Sequence, residues 1–135
     1  MVRSLRYMLD TNVCIHLMRY SDDHLLARLD DHEHEICIST VTWHELAHGA
    51  EKSRRPEHER TLMTNLAAGL EVLDFGTDAA DHSGNIHATL ARSGQVIGAF
   101  DMLIAGHARS RGLTVVTNNL REFARIEGLR CEDWL

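Results

Sequence analysis

The sequence has little proline, few cysteines and no long apolar run. Pro56 is the only proline in 135 residues, which is typical of a globular rather than a disordered chain. The cysteines Cys14, Cys37 and Cys131 are far apart and form no C-x-x-C pair, so we expect reduced residues packed in the core. No stretch approaches the ~20 apolar residues of a membrane helix, and the N-terminus has no signal-peptide core. We therefore expect a soluble, cytoplasmic protein without a membrane partner.

Lysine is also scarce: of the 14 basic residues 13 are arginine, and the other is Lys52. The net charge of −6 argues against a generic nucleic-acid binder, whose surface is basic. Arginine makes bidentate contacts with phosphate or with a partner's carboxylates. It can equally pack flat on a solvated helix face, and the sequence leaves both possibilities open.

Short apolar runs alternate with helical patterns over residues 1–135, a length that fits one domain. We predict strands at residues 5–9, 36–39, 71–75 and 113–117, and an edge strand within 129–135. The predicted helices cover residues 13–19, 22–29, 39–50, 62–70, 77–92 and 100–109, with a short one before 123, and residues 51–59 form an exposed loop. This alternation predicts a three-layer α/β/α fold with a central, mostly parallel sheet.

Four carboxylates occupy similar places in this pattern. Asp10 follows the first strand, Glu45 and Glu122 come soon after later strands, and Asp101 begins a helix. Carboxyl ends of parallel strands share one edge of the sheet, so these acids can converge there. Like charges at close range resist ionising together unless a cation compensates them. Oxygen ligands favour Mg²⁺ or Mn²⁺, which predicts metal-assisted hydrolysis of a phosphodiester.

Asp10 taken alone is typical of a helix cap rather than of a catalytic residue, because a short acid at a helix start commonly accepts a backbone hydrogen bond. Considered with the other acids, it becomes the first candidate for a metal ligand. We assign the capping role to Thr11 and Asn12, which leaves the Asp10 carboxylate free.

A competing motif overlaps this set, since His44-Glu45-Leu46-Ala47-His48 matches the H-E-x-x-H pattern of zinc proteases. The chain holds 10 histidines, so a chance match is more frequent than usual. Possible third ligands are His82, His87 and His107, none at a recognised spacing. Surface histidines beside a functional Glu45 are the preferred interpretation, and a zinc protease is a remote alternative.

Five ordered blocks carry a resemblance. They lie at residues 8–12, 38–46, 47–51, 100–108 and 115–123. Together they resemble a PIN domain and, more narrowly, the VapC toxins of bacterial type II toxin–antitoxin systems. The resemblance implies a Mg²⁺- or Mn²⁺-dependent endoribonuclease that forms a homodimer and is inhibited by a small VapB-like antitoxin. Operator DNA would be contacted only through that antitoxin.

The resemblance also assigns roles to individual residues. Asp10, Glu45 and Asp101 match the three most regular metal-binding acids of the family. Many relatives have an acid where this chain has Asn119, so Glu122, at the other acidic position, is assigned as the fourth carboxylate. Residues that could orient carboxylates or water, or be ordinary caps and turns, are Asn12, Ser39, Thr117 and Asn119.

The likeness bears on the substrate as well. VapC toxins cut structured RNA, most often tRNA near the anticodon, and the chain is most similar to the kind that cuts initiator tRNA. Candidate RNA contacts are Arg109, Arg111, Arg121 and Arg125, which could instead serve a dimer or antitoxin interface. Trp43 and Trp134 are expected to pack rather than stack on bases. The alternative function is a catalytically weak PIN-like protein that acts through its antitoxin partner.

Overall fold

A computed structural model describes residues 4–135 of the chain and contains one parallel sheet. Its strands are β1 (Tyr7–Leu9), β2 (Ile36–Ser39), β3 (Glu71–Leu73), β4 (Thr114–Val116) and β5 (Cys131–Glu132). They lie in the order β3-β2-β1-β4-β5, and every neighbouring pair is parallel. The predicted α/β fold with a mostly parallel sheet is therefore confirmed, including the edge strand near the C-terminus.

Seven helices occur within residues 4–135, and none is long and apolar enough to cross a membrane. They are α1 (Thr11–Arg19), α2 (Asp23–Asp31), α3 (Thr40–Glu51), α4 (Pro56–Ala68), α5 (Thr77–Arg92), α6 (Ala99–Ser110) and α7 (Leu120–Phe123).

The predicted exposed loop over residues 51–59 is wrong in its second half, because α4 begins at Pro56. Proline is well suited to the first helical position, where its missing N–H would have no intrahelical partner. Glu57 and Glu59 in the first turn also suit the positive end of the helix. Only residues 52–55 remain between α3 and α4.

Alternation along the central strand explains the two helical layers. Met8 packs into one core with residues of α5 and α6, whereas Tyr7 and Leu9 pack into a second core with α1 to α4. Successive side chains of a strand point to opposite faces, so a strand buried on both faces needs helices on both. Trp134 is buried in the second core with its ring 4.8 Å from that of Tyr7, which makes it a packing residue as predicted.

The helices α5 and α6 approach each other at Gly106. A Cβ atom built on Gly106 would lie 2.6 Å from the backbone nitrogen and the Cβ of Ser83. Only a residue without a side chain fits this contact. The glycine therefore sets the distance between α5 and α6, the helix that begins next to the site described below.

The strand order reverses at the centre of the sheet. From β1 the chain proceeds outward through β2 and β3, and then returns to the other side of β1 to form β4 and β5. Connections leave β1 and β4 in opposite directions, which opens a crevice at their carboxyl ends, the usual ligand site of open α/β sheets. The Asp10 N–H donates to the Val116 carbonyl at 3.0 Å and ties the two strand ends together.

Candidate active site

Asp10 is the first residue after β1, and its side chain is almost fully buried, with 1% of the residue exposed. Its Oδ1 atom accepts a hydrogen bond of 2.9 Å from the Val13 N–H, which makes Asp10 the N-cap of α1. The Asn12 N–H and the Thr117 hydroxyl also donate to this carboxylate. Our assignment of the cap to Thr11 and Asn12 is therefore wrong. Asp10 caps α1 because it is the last residue with an extended backbone before the helix.

The ionised form of Asp10 is held in place but poorly solvated. Burial is the largest influence and raises the pKa of Asp10, and the nearby Glu45 charge raises it further. Hydrogen bonds from Thr117 and Val13 lower the pKa but do not cancel the rise. A buried carboxylate of this kind gains stability from a cation in the same crevice.

Glu45 lies half-buried on α3 and is positioned by a residue of α1. The Thr11 hydroxyl donates a hydrogen bond of 2.6 Å to Glu45 Oε1, and the Thr11 and Thr42 hydroxyl oxygens are 3.1 Å apart. Both threonines are buried. This role of Thr11 is not among the sequence predictions, although its place directly after Asp10 is a signal that it faces the same crevice.

Asp101 and Glu122 complete the acidic group from the far side of the crevice. Asp101 lies in the first turn of α6 and its side chain is hydrogen bonded to that of Glu122 on α7. The pKa of Asp101 is raised to about 6 by burial, then by the Asp10 charge, the bond to Glu122, and the charges of Glu122 and Glu45. Two carboxyl groups can hydrogen bond only if they share a proton. The four acids predicted from the sequence thus act on one another at one place.

Asn119 positions the fourth carboxylate rather than replacing it. Its Nδ2 atom donates a hydrogen bond of 2.8 Å to Glu122 Oε2. The Asn119 N–H in turn donates to Thr117 Oγ1 at 2.8 Å, and the Thr117 hydroxyl donates to Asp10. Thr117 and Asn119 therefore connect the acid after β1 with the acid on α7, as expected of residues that orient carboxylates.

The oxygen-only donor set fits a hard divalent cation. Within residues 4–135 no group of three or more His, Cys, Asp or Glu side chains lies close enough together to hold a metal ion by itself. Magnesium needs only one or two protein carboxylates, because it keeps several waters and binds substrate phosphates. Burial, and after it the negative charges of the neighbouring carboxylates, raises the pKa of Asp101 to about 6. The residues present thus suit Mg²⁺ or Mn²⁺ better than the thiolate and imidazole sites preferred by softer metals.

Ser39 is a helix cap, the second of the two roles that the sequence leaves open for it. Its hydroxyl accepts a hydrogen bond from the Val41 N–H, which caps α3, and lies 2.8 Å from His107 Nδ1. His107 is buried on α6, and burial lowers its pKa. The pair therefore joins the two helices that carry Glu45 and Asp101 without touching a carboxylate. Asn12 contributes its backbone N–H to Asp10, and its side chain is exposed.

Comparison with known proteins identifies the family. The profile described as "PIN domain" matches residues 7–129. The chain belongs to the PIN-domain family. The tRNA(fMet)-specific endonuclease VapC of Salmonella typhimurium is 51% identical over 130 residues, covering 96% of this chain and 98% of that protein. The protein of the same name from Shigella flexneri is 48% identical with the same coverage.

A solved structure agrees with this assignment. A chain of the DNA-bound VapBC complex from Salmonella typhimurium superposes with a TM-score of 0.94 and 50% identity, covering 97% of this chain and 99% of that chain. The PIN-domain and VapC resemblance found in the sequence is thereby confirmed.

The H-E-x-x-H match does not form a zinc site of the protease type. His44 and His48 are exposed on α3, and such a site needs a third protein ligand. His107 is hydrogen bonded to Ser39, the N-cap of α3. His82 Nδ1 accepts a hydrogen bond from the Arg109 guanidinium. His87 is exposed on α5. The interpretation of surface histidines flanking Glu45 agrees with these positions.

The four arginines proposed to contact RNA are divided between two places. Arg109 lies eight residues after Asp101 on α6, about 12 Å along the helix axis, and binds His82, Asn85 and the Glu127 carbonyl. Its guanidinium ties α5 to the segment after α7, so the structure does not bring it to the acids. Arg111 follows the same helix and is farther along it. Arg121 and Arg125 are exposed on either side of Glu122 in the chain.

Proposed function

We propose that this chain is the ribonuclease toxin of a VapBC-type toxin–antitoxin pair and that it cleaves RNA phosphodiesters at the four-acid crevice between β1 and β4. The observation that carries the proposal is the raised pKa of Asp101, about 6, which is caused first by burial and then by the nearby carboxyl groups of Asp10, Glu122 and Glu45. The relatives named as tRNA(fMet)-specific endonucleases support tRNA as substrate, with initiator tRNA near its anticodon as the first candidate.

The ligands for Mg²⁺ or Mn²⁺ in this proposal are Asp10, Asp101, Glu122 and Glu45. When bound, such an ion supplies positive charge that offsets these carboxylates and polarises water and the phosphodiester. Asp101 and Glu122 would hold the ion through their carboxylate oxygens. The Thr11 hydroxyl donates to Glu45 Oε1 and would fix the orientation in which Glu45 meets the ion.

Asp10 is the anchor of the arrangement. Bonds from the backbone of α1 and from Thr117 fix its carboxylate before any substrate arrives. A ligand fixed in this way does not have to be ordered during the reaction, which is how preorganised groups lower a barrier. Asn119 and Thr117 extend the same support to Glu122.

The proposed protein partner is a VapB-like antitoxin, since the structural relative is a VapBC complex. A groove of about 450 Å³ between α1, α2 and α4 is lined by apolar side chains that include Leu17, Leu26, Leu29 and Leu66, and Leu26 is exposed. We assign this groove to an apolar segment of the antitoxin. Contact with operator DNA is assigned to the antitoxin, because this chain has a net charge of −6. We further propose a single PIN domain over residues 1–135 that acts as a homodimer.

The decisive experiment compares wild type with Asp10→Asn for cleavage of total bacterial tRNA in Mg²⁺, in Mn²⁺ and in EDTA, with the new 5′ ends mapped. Asparagine is as good an N-cap as aspartate, so the variant removes the charge and keeps the cap of α1. Asp74→Asn is the matched control, because Asp74 is an exposed acid that also follows a strand. We expect metal-dependent cuts at one tRNA by wild type and Asp74→Asn, and none by Asp10→Asn.

Each other outcome has a clear meaning. Equal cleavage by wild type and Asp10→Asn would contradict the metal site. Absence of cleavage by wild type would favour the catalytically weak binding protein. Cuts scattered over messenger RNA added to the reaction would show that messenger RNA, and not tRNA, is the substrate.

A further inference from the structure

Two rings meet at the rim of the acidic crevice. His44 immediately precedes Glu45 in α3, and Phe100 immediately precedes Asp101 in α6. Their ring centroids are 5.5 Å apart with an interplanar angle of 43°. Phe100 is 43% exposed, and His44 is exposed as well. The residues before two of the site acids therefore form one aromatic surface that bridges the two helices.

This surface borders a cavity that reaches Glu45, one of the four acids. The cavity has a volume of about 280 Å³ and is lined by Phe100, His44, Ile15 and Lys52, together with Glu45 and Thr11 from the site itself. An apolar wall formed by Phe100 and Ile15 thus stands next to a carboxylate. A flat apolar ligand that carries a phosphate could place its ring on that wall and its phosphate toward the acids.

The far end of the cavity offers positive charge. His44, His48 and Lys52 follow one another at intervals of four residues, so they lie along one face of α3. Lys52 is exposed and is the only lysine in a chain of net charge −6. The same groove therefore holds an aromatic surface, one of the candidate catalytic acids, Glu45, and a cation.

Single-stranded RNA has the chemistry that matches this combination. Its unpaired bases stack on Phe, Tyr, Trp or His side chains while its phosphates contact cations. Double-stranded RNA keeps its bases stacked on each other and is recognised by shape. An exposed aromatic surface next to the acids therefore favours an unpaired nucleotide.

We propose that the His44–Phe100 pair is the stacking platform for one unpaired nucleobase beside the phosphodiester that is cut, and that Lys52 contacts a neighbouring phosphate. The inference rests on the proposed ribonuclease function and adds to it the recognition of a single-stranded loop. Phe100 supplies binding and positioning of the base, whereas the four acids supply the chemistry.

The test uses the anticodon stem-loop of initiator tRNA, the first candidate substrate, and a set of the same hairpins with one abasic nucleotide at each loop position. The variants are Phe100→Leu, which keeps an apolar side chain without a ring, and Phe100→Tyr, which keeps the ring. Tyr20→Leu is the matched control, because Tyr20 is 65% exposed and its ring lies 5.0 Å from that of His16, away from the acids. Hairpin binding is measured by fluorescence anisotropy and cleavage by initial rates.

We expect Phe100→Leu to weaken hairpin binding and to raise KM by about 5- to 100-fold, the range for loss of one stacked base. Phe100→Tyr should restore both values, and Tyr20→Leu should leave them as in wild type. At one loop position, removal of the base should weaken hairpin binding by wild type by a similar factor. Phe100→Leu should bind that abasic hairpin as well as it binds the complete one, because the contact between ring and base is already absent in the variant.

The outcomes separate this inference from the proposed function. Wild type that binds the hairpin through Phe100 without cutting it would support the platform and contradict the ribonuclease. Cleavage and binding unchanged by Phe100→Leu and by every abasic position would contradict the platform and keep the ribonuclease. Weakened binding of the antitoxin with unchanged RNA binding would assign the rings to a protein interface and also overturn the platform.

Discussion

Thr11 and Glu45 are joined by a hydrogen bond of 2.6 Å from the Thr11 hydroxyl to Glu45 Oε1. Thr11 directly follows Asp10, whose own carboxylate caps α1. Two consecutive residues after β1 therefore position two carboxylates. Asp10 carries the first, and Thr11 holds the second, that of Glu45. The central strand of the sheet thus organises acids that are 35 residues apart in sequence.

Replacing Thr11 with valine should separate this positioning role from the shape of the side chain. Valine keeps the two branches on Cβ but has no hydroxyl, so Glu45 loses its fixed orientation. Loss of a residue that orients a metal ligand typically costs 10–100-fold in metal affinity or activity, and we expect a loss of about that size in RNA cleavage. Thr11→Ser should recover most of it. A Thr11→Val enzyme with the wild-type rate would show that the bond is dispensable.

The raised pKa of Asp101 predicts how stability depends on pH in the absence of metal. The pKa of Asp101 is about 6 in the folded protein, against 3.8 for an ordinary aspartate. Between these values the folded state binds a proton that the unfolded state lacks, so this group's contribution to stability falls as pH rises through that window. At neutral pH the Asp101 carboxylate is then available to a cation, because protons no longer compete with the cation for it.

The measurement is the melting temperature of wild type and Asp101→Asn in EDTA and in Mn²⁺, at about pH 5 and about pH 7.5. Wild type should gain more from Mn²⁺ at the higher pH. Asp101→Asn in EDTA should lose less stability than wild type on going from the lower to the higher pH, because it lacks the group that titrates. Identical pH profiles for the two proteins would contradict the raised pKa.

The close approach of α5 and α6 predicts that Gly106→Ala destabilises the protein. The added Cβ would lie 2.6 Å from Ser83 backbone and side-chain atoms, and overpacking of this kind typically costs about 1–3 kcal/mol. Gly84→Ala is the matched control on α5, since nothing lies within 4 Å of a Cβ there. It should stabilise by about 0.5–1 kcal/mol through helix propensity. Urea unfolding of both variants checks the opposite signs.

The parts of the fold and site that the sequence predicts are those with local signals. Asp10 comes after an apolar, strand-like run, and a parallel sheet places such positions at a common edge. Helix starts at Asp22 and Ser39 were visible because short polar side chains accept backbone hydrogen bonds there. The alternation of strand and helix patterns along the chain predicts a parallel sheet covered by helices on both faces.

The rest depends on contacts between distant elements, which no local pattern encodes. The sequence predicts a capping role for Thr11. It does not show that α3 lies within hydrogen-bonding distance of α1, which is what gives Thr11 its contact with Glu45. The sequence also leaves Arg109 as a candidate for RNA contact. Its distance from Asp101 along α6 and its hydrogen bonds to α5 are seen only in the folded structure. Pro56 was read as a loop signal, although proline also begins helices.

The central claim is that the acids at the ends of β1 and β4 form a divalent-cation site, and calorimetric titration of Mn²⁺ tests it most directly. Wild type, Asp10→Asn and Asp74→Asn are titrated at neutral pH after folding is checked by circular dichroism. The account predicts that Asp74→Asn binds Mn²⁺ like wild type and that Asp10→Asn loses at least about tenfold in affinity. Equal Mn²⁺ affinity in wild type and Asp10→Asn would contradict it.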